Sequence, residues 1–222
     1  MEDGAYRTNH NIAFASVGWE AVDAGDFDAD GDADILWRHR DGAVVTWEME
    51  DGAYVQNHNI AFASTGWEID GLGGFDGDGD ADVIWRHRDG AVVTWEMEDG
   101  GYVGNHNIAF GSTSWQIQGT GDFDADGDAD ILWRHNDGMV VTWEMQDGSF
   151  VTNHSLAGVS SAWQIRGTAD FDSDGDSDIL WRNQSGDVVT WTMQGGELLQ
   201  TRDFGALSNA WQVVRTGEFD LA

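Results

Sequence analysis

Hydrophobic and polar residues alternate over short stretches of this chain. Between residues 83 and 88, side chains fall on two faces of an extended chain: Val83, Trp85 and His87 on one, Ile84, Arg86 and Arg88 on the other. No window shows a sustained helical period, and stretches rich in glycine and aspartate separate the alternating segments, as turns do. The pattern predicts four strands in this part of the chain: Trp67–Gly73, Asp82–Arg88, Ala91–Met97 and Tyr102–Phe110.

The pattern repeats every 48 residues without a slip in register. Tryptophan marks the repeat at three positions of the unit: Trp19, Trp67, Trp115, Trp163 and Trp211; Trp37, Trp85, Trp133 and Trp181; and Trp47, Trp95, Trp143 and Trp191. Four strands in a repeat of this length are typical of a β-propeller blade. We therefore predict an all-β propeller; a β-solenoid is the competing architecture, but its coils are usually shorter.

The glycine-rich strand of the unit, GLGG in its second copy, suits the crowded centre of a propeller. If this strand is innermost, residues 1–18 form an outer-type strand and residues 211–222 an inner-type strand. Three arrangements are then open: four blades with spare strands, an incomplete fifth blade closed by the two ends, or part of a longer array. The complete blades run approximately over residues 19–66, 67–114, 115–162 and 163–210.

The charge of the chain limits its partners. The sequence has 41 acidic residues, 10 arginines, no lysine and a net charge of −31. Such a surface repels nucleic acid and anionic lipid and attracts cations. Adaptation to high salt would also explain the charge, but not the clustering of the aspartates. The sequence has no cysteine and no apolar run long enough to span a bilayer. Its first residues, MEDGAY, lack the charged and apolar regions of a signal peptide, so we expect a trimmed leader, another export route or a protein that stays inside the cell.

The aspartates cluster between the first and second strands of each unit. Residues 26–34 read DFDADGDAD, with carboxylates at positions 1, 3 and 5 and glycine at position 6, as at the start of an EF-hand loop. The EF-hand glutamate at position 12 is absent, and we expect Asp34 at position 9 to complete the ligand shell. Oxygen ligands at this density predict Ca²⁺ rather than Mg²⁺ or Zn²⁺. Turns without a metal are the alternative, and four loops in register make it the weaker one.

The four loops are not identical. Gly74 replaces the first aspartate of the second loop, and we expect that site to bind its cation more weakly or to recruit an extra water. The predicted ligands are Asp26, Asp28, Asp30, Asp32 and Asp34 in the first loop, Asp76, Asp78, Asp80 and Asp82 in the second, Asp122, Asp124, Asp126, Asp128 and Asp130 in the third, and Asp170, Asp172, Asp174, Asp176 and Asp178 in the fourth.

The segment GDFDADGDADILWR resembles an FG-GAP or VCBS repeat, as found in bacterial secreted proteins and, more distantly, in the integrin α-chain propeller. The resemblance covers essentially the whole chain, and its most specific part is D-x-D-x-D-G-x-x-D before an aliphatic strand. It implies a propeller whose loops bind Ca²⁺ between the first two strands of a blade, with Gly74 as a departure. It also implies an extracellular protein of adhesion, binding or scaffolding.

A Trp-Arg-His trio occurs in three units: Trp37, Arg38 and His39; Trp85, Arg86 and His87; Trp133, Arg134 and His135. One interpretation is a sugar site on each blade, with indole faces stacking on the pyranose ring. The other is packing between blades, which we favour for most of these tryptophans because large aromatic side chains dominate cores. An Asn-His-Asn run on the outer strand (57–59 and 105–107) either binds a metal or anion or protects a strand edge, and we favour the second.

No motif indicates catalysis, and the regular repeat accounts for the carboxylates as metal ligands. We therefore expect a non-enzymatic, calcium-stabilised propeller that binds glycans or a protein surface. The alternative is a purely structural repeat module that forms homo-oligomers through its end strands.

Overall fold

The computed structural model describes residues 16–208, 210 and 211. Within these residues it contains sixteen strands: β1 (Trp19–Gly25), β2 (Asp34–His39), β3 (Ala43–Glu50), β4 (Ala53–Phe62), β5 (Trp67–Gly73), β6 (Asp82–His87), β7 (Ala91–Glu98), β8 (Gly101–Phe110), β9 (Trp115–Gly121), β10 (Asp130–His135), β11 (Met139–Gln146), β12 (Ser149–Gly158), β13 (Trp163–Ala169), β14 (Asp178–Asn183), β15 (Asp187–Gln194) and β16 (Glu197–Ala206). Among the described residues there is no helix with the length and apolar character that a membrane span requires.

Each group of four consecutive strands forms one antiparallel sheet in which neighbours in sequence are paired. We number these sheets blade 1 (β1–β4), blade 2 (β5–β8), blade 3 (β9–β12) and blade 4 (β13–β16). In blade 2, Trp67 pairs with His87 and Gly73 with Asp82, so the aspartate loop connects the paired ends of β5 and β6. The four-stranded blade predicted from the period is confirmed.

The turn between the third and fourth strands follows directly from its sequence. In blade 2 this turn consists of Asp99 and Gly100, which have positive φ angles of 48° and 74°. A two-residue hairpin turn of this kind matches the right-handed twist of the strands, and Asp-Gly is one of its preferred sequences. The turn also docks on the preceding blade, because the N–H of Gly100 donates to the Phe27 carbonyl at 2.7 Å.

The core lies between the blades rather than within one sheet. Val83 and Trp85 of blade 2 pack against blade 1 in a buried cluster that includes Phe27. Ile84, on the opposite face of the same strand, packs against blade 3 in a cluster that includes Ile131. The alternation of two apolar faces is therefore confirmed, and each seam between blades is a hydrophobic core of its own.

The blades are arranged around their first strands. β1 contacts β5, β5 contacts β9 and β9 contacts β13, while the fourth strands contact one another along the outside. The four described blades form an open arc and not a closed ring. The predicted end strands, 1–18 and 211–222, lie outside the described residues except for 16–18 and 211, which are not in strands.

Candidate functional site

Three carboxylates converge in three of the four aspartate loops. The first, second and last aspartates of each loop contribute one oxygen apiece, and the three oxygens lie within 4.8 Å of one another. The groups are Asp26, Asp28 and Asp34; Asp122, Asp124 and Asp130; and Asp170, Asp172 and Asp178. Converging oxygen ligands are what a hard divalent cation requires, so these three loops could hold a metal ion.

The backbone of the first loop curls around Asp26. The Asp26 carboxylate accepts hydrogen bonds from the N–H groups of Asp30 at 3.2 Å and Gly31 at 2.9 Å. Ala29 and Gly31 have positive φ angles of 53° and 92°, which turn the chain back on itself within a few residues. The third loop makes the same two hydrogen bonds. The loop conformation thus brings the first and second aspartates to the same place.

Asp34 fixes the loop to the sheet as well as joining the carboxylate group. One of its oxygens accepts from the N–H of Phe27 at 3.1 Å and the other from the N–H of Met49 at 2.8 Å. Burial raises the pKa of Asp34 to about 6, although these hydrogen bonds act in the opposite direction. The last aspartates of the other loops make the same contacts. Burial likewise raises their pKa values, to about 7 for Asp82, 8 for Asp130 and 6 for Asp178.

The third and fourth aspartates of the motif have a different position. They lie outside the three-carboxylate groups: Asp30, Asp32, Asp78, Asp80, Asp126, Asp128, Asp174 and Asp176. Asp32 accepts a hydrogen bond from the N–H of Asp51, in the turn between β3 and β4, at 2.7 Å. The equivalent bond recurs in the other three blades. The fourth aspartate of the motif therefore ties the loop to a hairpin turn, a role that the sequence analysis missed although the turn recurs in the same register.

The second loop has no group of this kind among the described carboxylates, in line with Gly74 in place of the first aspartate. Gly74 contributes only its carbonyl, which accepts from the N–H of Ala129 at 2.8 Å. Burial raises the pKa of Asp76 in this loop, and the nearby Asp78 raises it further. The weaker site predicted from the sequence corresponds to the loop whose carboxylates do not converge.

Two of the carboxylate groups contain a buried oxygen with no partner in the protein. Asp28 Oδ1 and Asp172 Oδ1 are shielded from solvent and accept no hydrogen bond. Burial raises the pKa of Asp28, and the charges of Asp30, Glu48 and Asp26 add to this effect. A buried carboxylate oxygen that has lost its water and gained no donor is destabilising, and a bound cation would remove that cost. The residues present therefore fit a hard cation.

The predicted Trp-Arg-His trios are split by the seams. Trp85 is 1% exposed and faces blade 1, where the Arg38 guanidinium lies 5.0 Å from its ring centroid. Arg38 also donates to the carbonyl of Trp67 at 2.5 Å. Arg86 lies over Trp133 and Arg134 over Trp181 in the next two seams. Trp85 and Trp133 therefore have no ring face free to stack on a sugar, whereas Trp37, in blade 1, is half-buried.

A groove opens at each of the three seams. The first has a volume of about 430 Å³ and is lined by Arg38 and His39 of blade 1 and by Trp67 and Glu68 of blade 2. The equivalent grooves at the next two seams have volumes of about 340 and 290 Å³. In the first two grooves, the arginine and histidine of a trio thus share the space with side chains of the following blade. In the third, they lie beside Ser161, in the connection that leads to blade 4. This association depends on how the blades dock, so the linear motif does not reveal it.

The outer histidines belong to the seams as well. His58, His106 and His154 lie 2.9, 3.1 and 3.2 Å from the carboxylates of Glu48, Glu96 and Glu144. The His58 ring also lies against Gly100 of blade 2, where an added Cβ would be 3.1 Å from the ring. These histidines therefore pair with a glutamate and support the turn of the next blade.

Comparison with known protein families identifies one repeat in this chain. A model of the FG-GAP-like repeat matches residues 74–133 and 122–181. No curated protein is significantly similar in sequence. Similar solved structures include BBS1N in complex with ARL6DN, with 11% identity, a TM-score of 0.45 and coverage of 83% of this chain and 52% of that one.

Two further structures are the β-propeller domain of Cps50 (Swd1) from Myceliophteria thermophila and the computationally designed Ika4 protein. The former has 13% identity and a TM-score of 0.46 over 84% of this chain and 56% of that one. The latter has 16% identity and a TM-score of 0.39 over 72% of this chain and 85% of that one. The chain spans about half the length of the BBS1N and Cps50 chains. Residues 74–181 therefore contain FG-GAP-like repeats, and the four repeated blades make the chain a β-propeller repeat protein.

Proposed function

We propose that this protein is a non-enzymatic, calcium-stabilised β-propeller module that binds a ligand in the grooves between its blades. Calcium is supported by the chemistry of the loops, since they offer several protein oxygens, whereas Mg²⁺ retains more of its water. The unpartnered oxygen of Asp28 supports a bound cation in the same way. The FG-GAP-like repeats favour an extracellular setting, where calcium modules of modest affinity suffice.

The observation that carries the binding proposal is the recurrence of one groove at three seams. The first two grooves combine an arginine and a histidine of one blade with polar side chains of the next. The third combines Arg134 and His135 with Ser161, in the connection that leads to blade 4. In the first two grooves a tryptophan, Trp67 or Trp115, also lines the wall. Hydrogen-bonding side chains beside an aromatic ring suit a glycan, which is the first ligand class; an exposed loop of another protein is the second.

A glycan array, probed in calcium and in EDTA, tests this proposal. Glu68 lines the first two grooves and Gln116 the second and third. We expect Glu68→Ala and Gln116→Ala to lower the binding of any glycan hit by about tenfold, the loss that corresponds to about 1.4 kcal/mol. Glu98→Ala changes an exposed carboxylate outside the grooves and serves as the matched control. An array without hits in calcium, or hits that none of these substitutions affects, would contradict glycan binding in the grooves.

Calorimetric titration of calcium into EDTA-treated protein tests the metal separately. We expect three sites of similar affinity and a fourth, weaker site from the second loop, because only three loops have converging carboxylates. The absence of any saturable calcium binding would refute the calcium part of the proposal while leaving groove binding to be judged on the array.

A further inference from the structure

Each seam between blades is built from the same three hydrogen bonds. At the first seam, the N–H of Ala81 donates to the carbonyl of Asp26 at 2.6 Å, and the N–H of Gly100 donates to that of Phe27 at 2.7 Å. The hydroxyl of Thr46 donates to the carbonyl of Gly100 at 2.8 Å. The other two seams repeat all three contacts. A seam therefore has two different halves, one on the following blade and one on the preceding blade.

Blades 1 and 4 stand at the two ends of the arc, and no other described blade covers the outer face of either. We call the face of blade 1 that points away from blade 2 the head face; its equivalent positions are Ala33, Ile35, Trp37 and Gly52. We call the face of blade 4 that points away from blade 3 the tail face; its equivalent positions are Asp170, Phe171, Thr190, Phe204 and Leu207. The head face thus carries the positions that blades 2 to 4 contribute to a seam, namely two N–H donors and one carbonyl acceptor. The tail face carries those that blades 1 to 3 contribute, namely two carbonyl acceptors and one hydroxyl donor.

The tail face exposes large apolar side chains that are buried at the inner seams. Phe171 is 44% exposed, whereas the equivalent Phe75 is fully buried. Phe204 is 64% exposed, whereas the equivalent Ile60 is 9% exposed. Leu207 is exposed in the same way on this face. Large apolar side chains that are exposed here and buried at the inner seams mark this face as an interaction surface.

The head face is the matching half. Ile35 and Trp37 are half-buried, whereas Val83 and Trp85, at the same positions of blade 2, are completely buried by blade 1. The described part of the chain places an arginine over Trp85 but shows none over Trp37. Both end faces therefore carry apolar side chains that a neighbouring blade buries elsewhere in the arc.

We propose that a second copy of this chain binds head to tail, with its head face on the tail face of the first. The contact reproduces the inner seams, and it forms whether or not the grooves bind a ligand. Because the two faces differ, the contact is heterologous, and it generates a ring if the rotation closes and a filament if it does not. Two copies of four blades fall within the usual propeller range of up to about eight blades.

One position of the tail face departs from the inner seams. A Cβ added to Gly25 would lie 3.0 Å from that of Ala81, and one added to Gly73 would lie 2.6 Å from that of Ala129. The equivalent position of blade 4 is Ala169, which already carries a Cβ. The second copy must shift slightly to fit, so Ala169→Gly is expected to strengthen the association several-fold.

Sedimentation velocity of the full chain over a range of concentrations tests the proposal. We expect species heavier than the 24.3 kDa monomer, and more of them at higher salt, because each copy carries a charge of −31 that salt screens. Phe204→Asp should reduce association at least tenfold. Leu199→Asp is the matched control, since Leu199 is 56% exposed on the same strand, at a position that stays exposed in every blade. Circular dichroism of each variant verifies that it folds.

Mixing two variants distinguishes a head-to-tail contact from any other. Ala33→Gln adds a long side chain to an exposed residue of the head face, where it blocks docking without touching the core. Each single variant should be monomeric, and a mixture of Phe204→Asp with Ala33→Gln should form complexes of two copies only, because one intact face of each kind remains. A monomer at every concentration and salt, equal effects of Phe204→Asp and Leu199→Asp, or no complex in the mixture would each overturn the proposal.

Discussion

Replacing Asp28 by asparagine should have opposite effects on stability with and without calcium. Asp28 carries the unpartnered buried oxygen of the first loop, and burial together with neighbouring carboxylates raises its pKa. Without metal, the charged form is destabilised in the folded protein, so Asp28→Asn should leave the melting temperature unchanged or raise it. With calcium, the same substitution removes a charged ligand and should lower the melting temperature.

The size of the calcium effect follows from linkage. An ion that binds only the folded state stabilises it by about 2.7 kcal/mol at a concentration one hundred times its dissociation constant. For a chain of this size, that corresponds to a shift of about 5–10 °C for one site. Thermal melts of Asp28→Asn in calcium and in EDTA measure the change in melting temperature with and without the metal. Asp76→Asn is the matched control, because it changes the same position in the loop without a three-carboxylate group. Equal destabilisation by Asp28→Asn in both buffers would refute a metal-binding role.

Three other predictions concern the pH dependence and the seams. Burial raises the pKa of Asp82 to about 7 and that of Asp130 to about 8, above the usual 3.8. In EDTA, the free energy of unfolding should therefore fall as the pH rises from 5 to 9, because the folded protein loses the neutral forms of these carboxyl groups over this range. In saturating calcium the fall should be smaller or reversed, since the metal binds the deprotonated carboxylates; identical urea titrations in both buffers would contradict this. Arg134→Lys should lower the free energy of unfolding in urea by about 2–3 kcal/mol, because lysine cannot both stack on Trp181 and donate to the carbonyls of Trp163 and Ser160. Arg40→Lys, at an exposed position, should change it little and serves as the control. Gly100→Ala and Gly52→Ala both place a side chain at a φ of 74°, which should lower the free energy of unfolding by about 1 kcal/mol each. Gly100→Ala should lower it further, because its added Cβ also contacts the His58 ring. Equal losses for the two variants in urea unfolding would count against that contact.

The repeat architecture was accessible from the sequence because its signals are local and occur four times. The alternation of Val83, Ile84 and Trp85 fixes which face of a strand each side chain occupies, and the structure buries both faces. The Asp-Gly turns and the glycine in each aspartate loop require backbone conformations that few other residues adopt. Repetition at a fixed period makes a chance match improbable at every one of these positions.

The contents of the candidate site were only partly accessible. Spacing alone gave all five aspartates of a loop the same status, whereas the structure joins the first, second and last and assigns Asp32 to a hydrogen bond with the turn at Asp51. The grooves were missed because they combine Arg38 with Trp67 and Glu68 of the next blade. Contacts across a seam depend on how two sheets dock, and no pattern within one sheet specifies that geometry.

The position of the aspartate loops links metal binding to the assembly of the blades. The carbonyls of Asp26 and Phe27, which receive the N–H groups of blade 2, belong to the same loop as the carboxylates that converge. Without a cation, mutual repulsion of these carboxylates loosens the backbone that carries the two carbonyls, so the cost falls on the seam as well as on the loop. A cation that holds the loop in one conformation therefore prepares the docking surface for the next blade. Because the fourth loop carries Asp170 and Phe171 on the tail face, the same reasoning extends from the inner seams to the contact with a second copy.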